Sequence, residues 1–229
     1  MSQTTDTLTS GTLGQITAAV YRVLVLEILF LAAASPGLVL LVTLSPDPSN
    51  APLAALSLLP AGPAFAAVIF AWRASTGEEH LAPAQSFWRG YRLNAASTLR
   101  WWWLVLTVIA ILGINVAFLD SVIPPGLPLV LAGAAQGAVF LLVAVAALHA
   151  MVINSLYNFR TRDILRLAFR LVRSSHRATI GAAAIVIACA GVVGVGSELA
   201  LIALASIVAA VVLQNAHTLT TDIEEKYIA

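Results

Sequence analysis

Four polar residues lie inside long apolar stretches and could do chemistry there: Glu27, Asn115, Gln136 and His149. A charged side chain in a transmembrane helix costs roughly 2.5–3.5 kcal/mol, so Glu27 should face other helices and have a partner. With a partner it would bind a proton, a cation or a polar substrate. Without such a role it would be a protonated or arginine-paired structural group near the interface. Arg22 lies about 140° round the same helix, which leaves Arg100 and His149 as candidate partners.

The amides of Asn115 and Gln136 could bind a sugar or each other. Interhelical polar pairs contribute about 0.6–2 kcal/mol and often only hold helices together, which is the interpretation that we favour. Gly133 and Gly137 form a G-x-x-x-G motif, which permits close helix approach. That approach would serve either internal packing or a dimer, so a homo-oligomer is left open.

Prolines interrupt the first two apolar stretches, at Pro36-Gly37 and between Pro60 and Pro63. Proline removes a backbone donor and kinks a helix. Paired broken helices can expose backbone groups that bind a substrate at mid-membrane. We favour the simpler interpretation, in which two kinks shape the bundle.

The motifs that mark enzymes and metal sites are missing from the sequence. It contains no P-loop, G-x-S-x-G, H-E-x-x-H or C-x-x-C, its four histidines are isolated and Cys189 is its one cysteine. We therefore expect no enzyme, no cofactor and no metal site. The net charge of +1 gives no reason to expect a nucleic-acid partner.

Composition indicates what must position the polar residues. The chain is 60% hydrophobic and 10% charged, whereas a soluble domain carries roughly 25% charged residues. About 20 apolar residues span a bilayer core. The sequence predicts an all-α integral membrane bundle, one domain over 1–229 with three helical hairpins. The expected spans are 19–44, 52–73, 101–123, 127–153, 178–196 and 198–216.

Charge position predicts the topology. The short breaks around Asp47, Asp120 and Glu198 contain no Lys or Arg, whereas the loops 73–100 and 154–177 hold ten of the eleven arginines. The positive-inside rule places both basic loops in the cytoplasm, and with six spans both termini as well. One continuous helix over the last two spans would instead place the C-terminus outside. Arginine in place of lysine suggests a bacterial protein, in the cytoplasmic (inner) membrane.

Both basic loops are predicted to be amphipathic interfacial helices, over 84–100 and 161–177. In the second, apolar residues recur at helical spacing beside Arg166, Arg170 and Arg173. In the first, Arg89 and Arg92 accompany interfacial aromatics. The segment 91–93 matches 169–171 at an offset of 78 residues, which indicates an internal repeat. These arginines should contact anionic lipid or the acidic surface of a partner.

Three segments carry a resemblance: LEILFLAAASPGLVLL, PAGPAFAAVIFAWR and SFWRGYRLNAASTLRWW. In them the chain resembles the YesL-like family of bacterial membrane proteins, a domain of unknown function. The resemblance implies an association with carbohydrate uptake, because members tend to be encoded beside sugar ABC transporters. It supplies no catalytic residues.

The leading hypothesis is a non-enzymatic accessory membrane protein that works with carbohydrate ABC transporter subunits. The alternative is a small secondary transporter or channel that uses Glu27 and broken helices 1 and 2. An intramembrane enzyme ranks last.

Overall fold

The computed structural model describes residues 12–45, 47–75, 82–157, 159–195, 200 and 202–217. The predicted turn at 196–198 and the acidic C-terminal tail lie outside these residues. Within them the chain is helical and has no strand, so the predicted all-α fold is confirmed. A 3₁₀ turn at Pro48–Asn50 precedes the second α-helix. The α-helices in chain order are α1 Thr12–Thr43, α2 Ala51–Ser57, α3 Ala61–Ala74, α4 Pro83–Ala117, α5 Leu119–Val122, α6 Leu127–Leu156, α7 Thr161–Ser174, α8 His176–Val195 and α9 Ala205–Asn215.

Five helical segments of the described chain are long and apolar enough to cross a membrane: Gly14–Thr43, Ala51–Ala74, Pro83–Ala117, Leu127–Leu156 and His176–Val195. The predicted sixth span corresponds to α9, which has 11 residues. At 1.5 Å per residue it covers about 16 Å, half of a bilayer core. The protein is therefore a helical membrane protein, and its described residues contain five candidate spans and one shorter apolar helix.

The first helix is not broken at Pro36, because α1 continues through that residue. A proline at this position cannot donate to the carbonyl of Ala32, and the hydroxyl of Ser35 donates to that carbonyl instead, at 2.9 Å. The next residue, Gly37, packs so closely on the Ser57 carbonyl that a Cβ would overlap it. The unbroken helix thus packs tightly on the end of α2 one residue after the proline.

The second predicted break is present. Helix α2 ends at Ser57, and α3 begins after a turn at 58–60. The indole of Trp102 donates to the Leu58 carbonyl at 3.0 Å, which satisfies an acceptor that the turn exposes. Pro63 lies in the first turn of α3, where a backbone N–H has no partner within the helix.

The two basic segments differ from each other in the structure. The predicted interfacial helix 84–100 is the first half of α4, which continues into the next span as one helix of 35 residues. No Gly or Pro occurs between residues 91 and 112 to stop it. Helix α7 is separate, as predicted, and ends at Ser174. At about 52 Å, α4 exceeds a bilayer core of about 30 Å, so its arginine-bearing half projects beyond the core.

The core lies around α3, which contacts α1, α4, α6 and α9. Its buried residues are mostly small, and alanines at 64, 66, 67 and 71 are at most 1% exposed. Small residues let helix backbones approach closely in a membrane, where hydrophobicity does not itself drive helices together. The short α3 is therefore the element on which the spans assemble.

Candidate functional site

Glu27 is held by the start of α9. Its Oε2 accepts a hydrogen bond of 2.7 Å from the backbone N–H of Ser206, in the first turn of that helix. The first N–H groups of a helix have no partner within it and carry partial positive charge, so they favour a carboxylate. Glu27 thus ties α1 to a helix 179 residues away in sequence.

Two further side chains complete this contact, which we call the Glu27 cluster: Arg22, Glu27, Trp72 and Ser206. The indole of Trp72 donates to the Ser206 carbonyl at 3.0 Å. The guanidinium of Arg22 lies 5.5 Å from the centre of the Trp72 ring, within cation–π range. Both polar groups of the Ser206 peptide are therefore bound by side chains from other helices.

The cluster retains unused hydrogen-bonding capacity. Three of its buried atoms have no hydrogen-bond partner among the described residues: Glu27 Oε1, Ser206 Oγ and Arg22 Nε. An acceptor, a hydroxyl and a donor in one cluster could bind a water, a proton or a small polar ligand.

The predicted partners of Glu27, Arg100 and His149, lie elsewhere. Arg100 is exposed on α4, and His149 is buried with its Nε2 3.4 Å from the Thr179 hydroxyl. Of the other predicted polar residues, Asn115 is exposed on α4, and Gln136 is half-buried on α6 with no partner for Oε1 in the described chain. Among the described residues no hydrogen bond joins these side chains to Glu27, so the structure does not assemble the predicted polar residues into one site. The sequence did not predict a role for Trp72 or Ser206, because each contributes a single polar group within an apolar stretch.

A second buried polar contact was not predicted. The Asn154 amide donates to the Thr98 hydroxyl at 2.8 Å, and that hydroxyl donates to the Asn94 carbonyl at 2.8 Å. Thr98 is 0% exposed and Asn154 is 2% exposed. This contact ties α4 to α6 and leaves Asn154 Oδ1 without a partner in the described chain.

The arginines form two shallow clefts on the surface. The α4 cleft measures about 540 Å³ and is lined by Ala84, Gln85, Trp88, Arg89, Arg92 and Leu93. The α7 cleft measures about 350 Å³ and is lined by Phe159, Asp163, Arg166, Leu167 and Arg170.

The two clefts correspond under the internal repeat. A shift of 78 residues places Gln85, Trp88, Arg89 and Arg92 on Asp163, Arg166, Leu167 and Arg170. Each cleft has two arginines, of which Arg92 and Arg170 are equivalent. Two buried positions correspond as well, since Ser86 and Gly90 fall on Ile164 and Ala168, whereas Leu93 is exposed where Leu171 is buried. The repeat therefore places a basic cleft, lined by residues at equivalent positions, at two points in the chain.

A large cavity lies among the apolar side chains of the spans. It measures about 530 Å³, and its walls come from α1, α3, α4, α6, α8 and α9. We call it the apolar slot. Its lining is almost entirely aliphatic and aromatic, and it is partly open to the outside of the bundle.

Residues 23–116 match the family model described as a protein of unknown function, DUF624. The match covers 94 of the 229 residues, so this segment is similar to the DUF624 family. The resemblance to YesL-like proteins is thereby confirmed, because that family is consistent with DUF624. No curated protein and no solved structure matches the chain.

The matched segment contains part of the Glu27 cluster and one of the two basic clefts. It includes Glu27, Trp72 and the α4 cleft, whereas Ser206 and the α7 cleft lie beyond it. The Glu27 cluster is thus completed by a helix outside the matched segment, and the α4 cleft has its counterpart there too.

Proposed function

We propose that the protein is a non-enzymatic accessory to carbohydrate uptake that docks a sugar ABC transporter through its two basic clefts. The observation that carries the proposal is the correspondence between the α4 cleft and the α7 cleft. Two surfaces of one design would let the protein contact an assembly at two points, and two linked contacts bind far more tightly than either alone.

The helix that carries the α7 cleft is anchored in the bundle, which favours docking. Its apolar face is buried through Ile164, Ala168 and Leu171, while Arg166 and Arg170 remain exposed. Guanidinium groups bind carboxylates bidentately. An acidic surface on a transporter subunit has the complementary chemistry.

The choice of partner and membrane comes from the sequence. The YesL-like resemblance supports the link to carbohydrate uptake. The excess of arginine over lysine and the resemblance support a bacterial cytoplasmic membrane. The positive-inside rule supports the clefts in the cytoplasm, where the ATPase subunits of an importer work. Both termini lie there too if α9 belongs to a sixth span. A homo-oligomer is compatible with this role.

The test is affinity purification of the intact protein from its native membrane in mild detergent, followed by mass spectrometry. The proposal predicts permease or ATPase subunits of a sugar transporter in stoichiometric yield. Clean isolation as a homomer, with no transporter subunit, would contradict it.

The second candidate function is transport by a small carrier or channel, and the unpartnered Oε1 of Glu27 favours it. An intramembrane carboxylate with an unused oxygen is a site where a proton or cation can bind. The protein in liposomes should then move a solute, and Glu27→Gln should change the flux because the amide carries no charge. Asp120→Gln, at an acidic residue near the end of a span, is the control and should leave the flux unchanged. Absence of flux in the unaltered protein would remove this candidate.

A further inference from the structure

We propose that the acidic segment of residues 222–225 binds the exposed arginines of α7 within the same chain. Asp222, Glu224 and Glu225 provide its three carboxylates. These residues lie outside the part of the chain that the structure describes. The inference does not depend on the proposed function, because both halves of the contact belong to one molecule.

The arginine surface of α7 carries positive charge that its own neighbours in sequence do not balance. Residues 159–177 contain six arginines and one acidic residue, Asp163. Arg166, Arg170 and Arg173 are exposed along the helix. Guanidinium groups bind carboxylates through two parallel hydrogen bonds. A segment rich in carboxylates is therefore an occupant that this surface fits.

The end of α9 lies beside the end of α7. Asn215, the last residue of α9, donates from its Nδ2 to the Ala178 carbonyl at 2.8 Å. Gly181, on the next turn of α8, packs so closely on the same amide that a Cβ would overlap it. Ala178 follows Ser174, the last residue of α7, by four positions. The chain therefore leaves α9 at the junction of α7 and α8, at the same end of the bundle as the arginines.

The intervening chain is long enough to make the contact. Asp222 is seven residues beyond Asn215 and Glu225 is ten. Seven extended residues reach about 23 Å at roughly 3.3 Å per residue. From Ser174 back to Arg166 the helix rises only about 12 Å at 1.5 Å per residue. The carboxylates can therefore reach all three exposed arginines from the end of α9.

The other acidic pair at this end of the bundle is near α4 instead. Glu78 and Glu79 lie within five residues of the start of that helix. The segment 222–225 is thus the acidic run that the fold brings to α7. Because Arg166 and Arg170 also line the α7 cleft, an acidic partner has to displace this segment before it can bind there.

The first test measures the distance between two spin labels, one at Thr161→Cys in the first turn of α7 and one at Ile223→Cys. Both changes are made in Cys189→Ser, which removes the one native cysteine. In vesicles of dioleoylphosphatidylcholine, which carry no anionic lipid, the contact predicts a narrow distance distribution. The distribution should broaden as salt rises to about 1 M, where the Debye length falls to about 3 Å. A broad distribution at low salt would overturn the inference.

Charge reversal in the labelled protein identifies the arginines involved. Arg170→Glu with Arg173→Glu should reduce the narrow fraction at least three-fold, because the carboxylates then meet like charges. Arg92→Glu with Arg100→Glu makes the same change at exposed positions of α4 and should leave the distribution as it is. Equal effects of the two pairs would overturn the inference.

A charge exchange separates a direct contact from damage to the fold. Glu224→Arg with Glu225→Arg, added to Arg170→Glu with Arg173→Glu, should restore the narrow distribution. A combined variant that inserts normally and shows no recovery would overturn the inference. The salt titration needs no charge-reversed variant, so it still decides the matter if the combined variant fails to insert.

Discussion

The first half of α4 and the separate helix α7 carry related sequences and end differently. Ser97 in α4 corresponds to Ser175 after α7. Helix α4 continues through Ser97, whereas Ser175 leaves the helical conformation with φ −105° and ψ 74°. Two alanines precede Ser97, and Arg173 and Ser174 precede Ser175. Alanine is the best helix former, so the local sequence favours continuation only in α4.

The surroundings strengthen this difference. After α7, the Thr179 hydroxyl lies 3.4 Å from the Leu171 carbonyl and 3.2 Å from the Val172 carbonyl, which are acceptors of the last helical turn. The equivalent residue in α4 is Trp101, which is fully buried. The repeat thus keeps two buried positions and one arginine of each helix in register, while the junction residues decide whether a basic helix is separate or part of a span.

The largest expected effect concerns the buried faces of the two helices. Ile164→Ala should lower the free energy of unfolding by about 2–4 kcal/mol, because it removes a side chain that is 1% exposed. Ser86→Ala, at the equivalent position of α4, should cost under about 1 kcal/mol, since only a hydroxyl is lost. Denaturant unfolding in micelles measures both changes. Equal decreases in the free energy of unfolding would contradict this difference between the buried faces of α4 and α7.

A smaller effect is expected at the junction. Thr179→Val should cost about 0.5–1.5 kcal/mol and widen the distribution of angles between α7 and α8, because the last carbonyls of α7 lose a donor. Spin-label distances between the two helices check the angle. Thr107→Val is the matched control, since the Thr107 hydroxyl bonds within α4, to the Trp103 carbonyl at 2.9 Å. A change no larger than in the control would mean that Thr179 does not separate α7 from α8.

The smallest effect concerns Asp47, whose carboxylate is bound within its own turn, in a break between spans that carries no arginine. Ser49 donates to Asp47 from its hydroxyl at 2.5 Å and from its N–H at 2.8 Å, which lowers the pKa of Asp47 below its ordinary value. A lowered pKa means that these bonds stabilise the turn above the ordinary Asp pKa and are lost as pH falls through the lowered one.

Ser49→Ala should therefore raise the pKa of Asp47 toward its ordinary value. A carboxyl NMR titration of Asp-labelled protein checks this shift, and an unchanged midpoint would contradict the account. Asp47 thus differs from the cleft arginines. Its charge is bound within its own turn, whereas the arginines should bind an added acidic partner.

Much of the fold could be predicted from the sequence. Apolar length predicts the spans, and helical periodicity predicts α7 to within three residues at its end. The ends of the helices were harder to predict. Helix α1 continues through Pro36, where the Ser35 hydroxyl donates to the Ala32 carbonyl, and α4 continues past residue 100 in a run without Gly or Pro.

The Glu27 contact could not be predicted. Periodicity places Glu27 on an inward face, but its partner is a backbone N–H, which every residue except proline has. Which one it meets depends on where α9 packs, and that is a property of the assembled bundle. The equivalence of the clefts was partly visible in the sequence as the repeat, although Trp88 and Leu167 occupy positions where an exact repeat would have arginine.

The most direct test of the central claim compares arginines inside and outside the clefts. Arg92→Glu with Arg170→Glu reverses one charge in each cleft, and Arg100→Glu with Arg162→Glu makes the same charge change on the same helices at exposed positions outside them. The measurement is the yield of co-purified transporter subunits per inserted protein. The account predicts a loss of at least ten-fold for the first pair and little change for the second. Equal losses, or none in either, would contradict docking through the clefts.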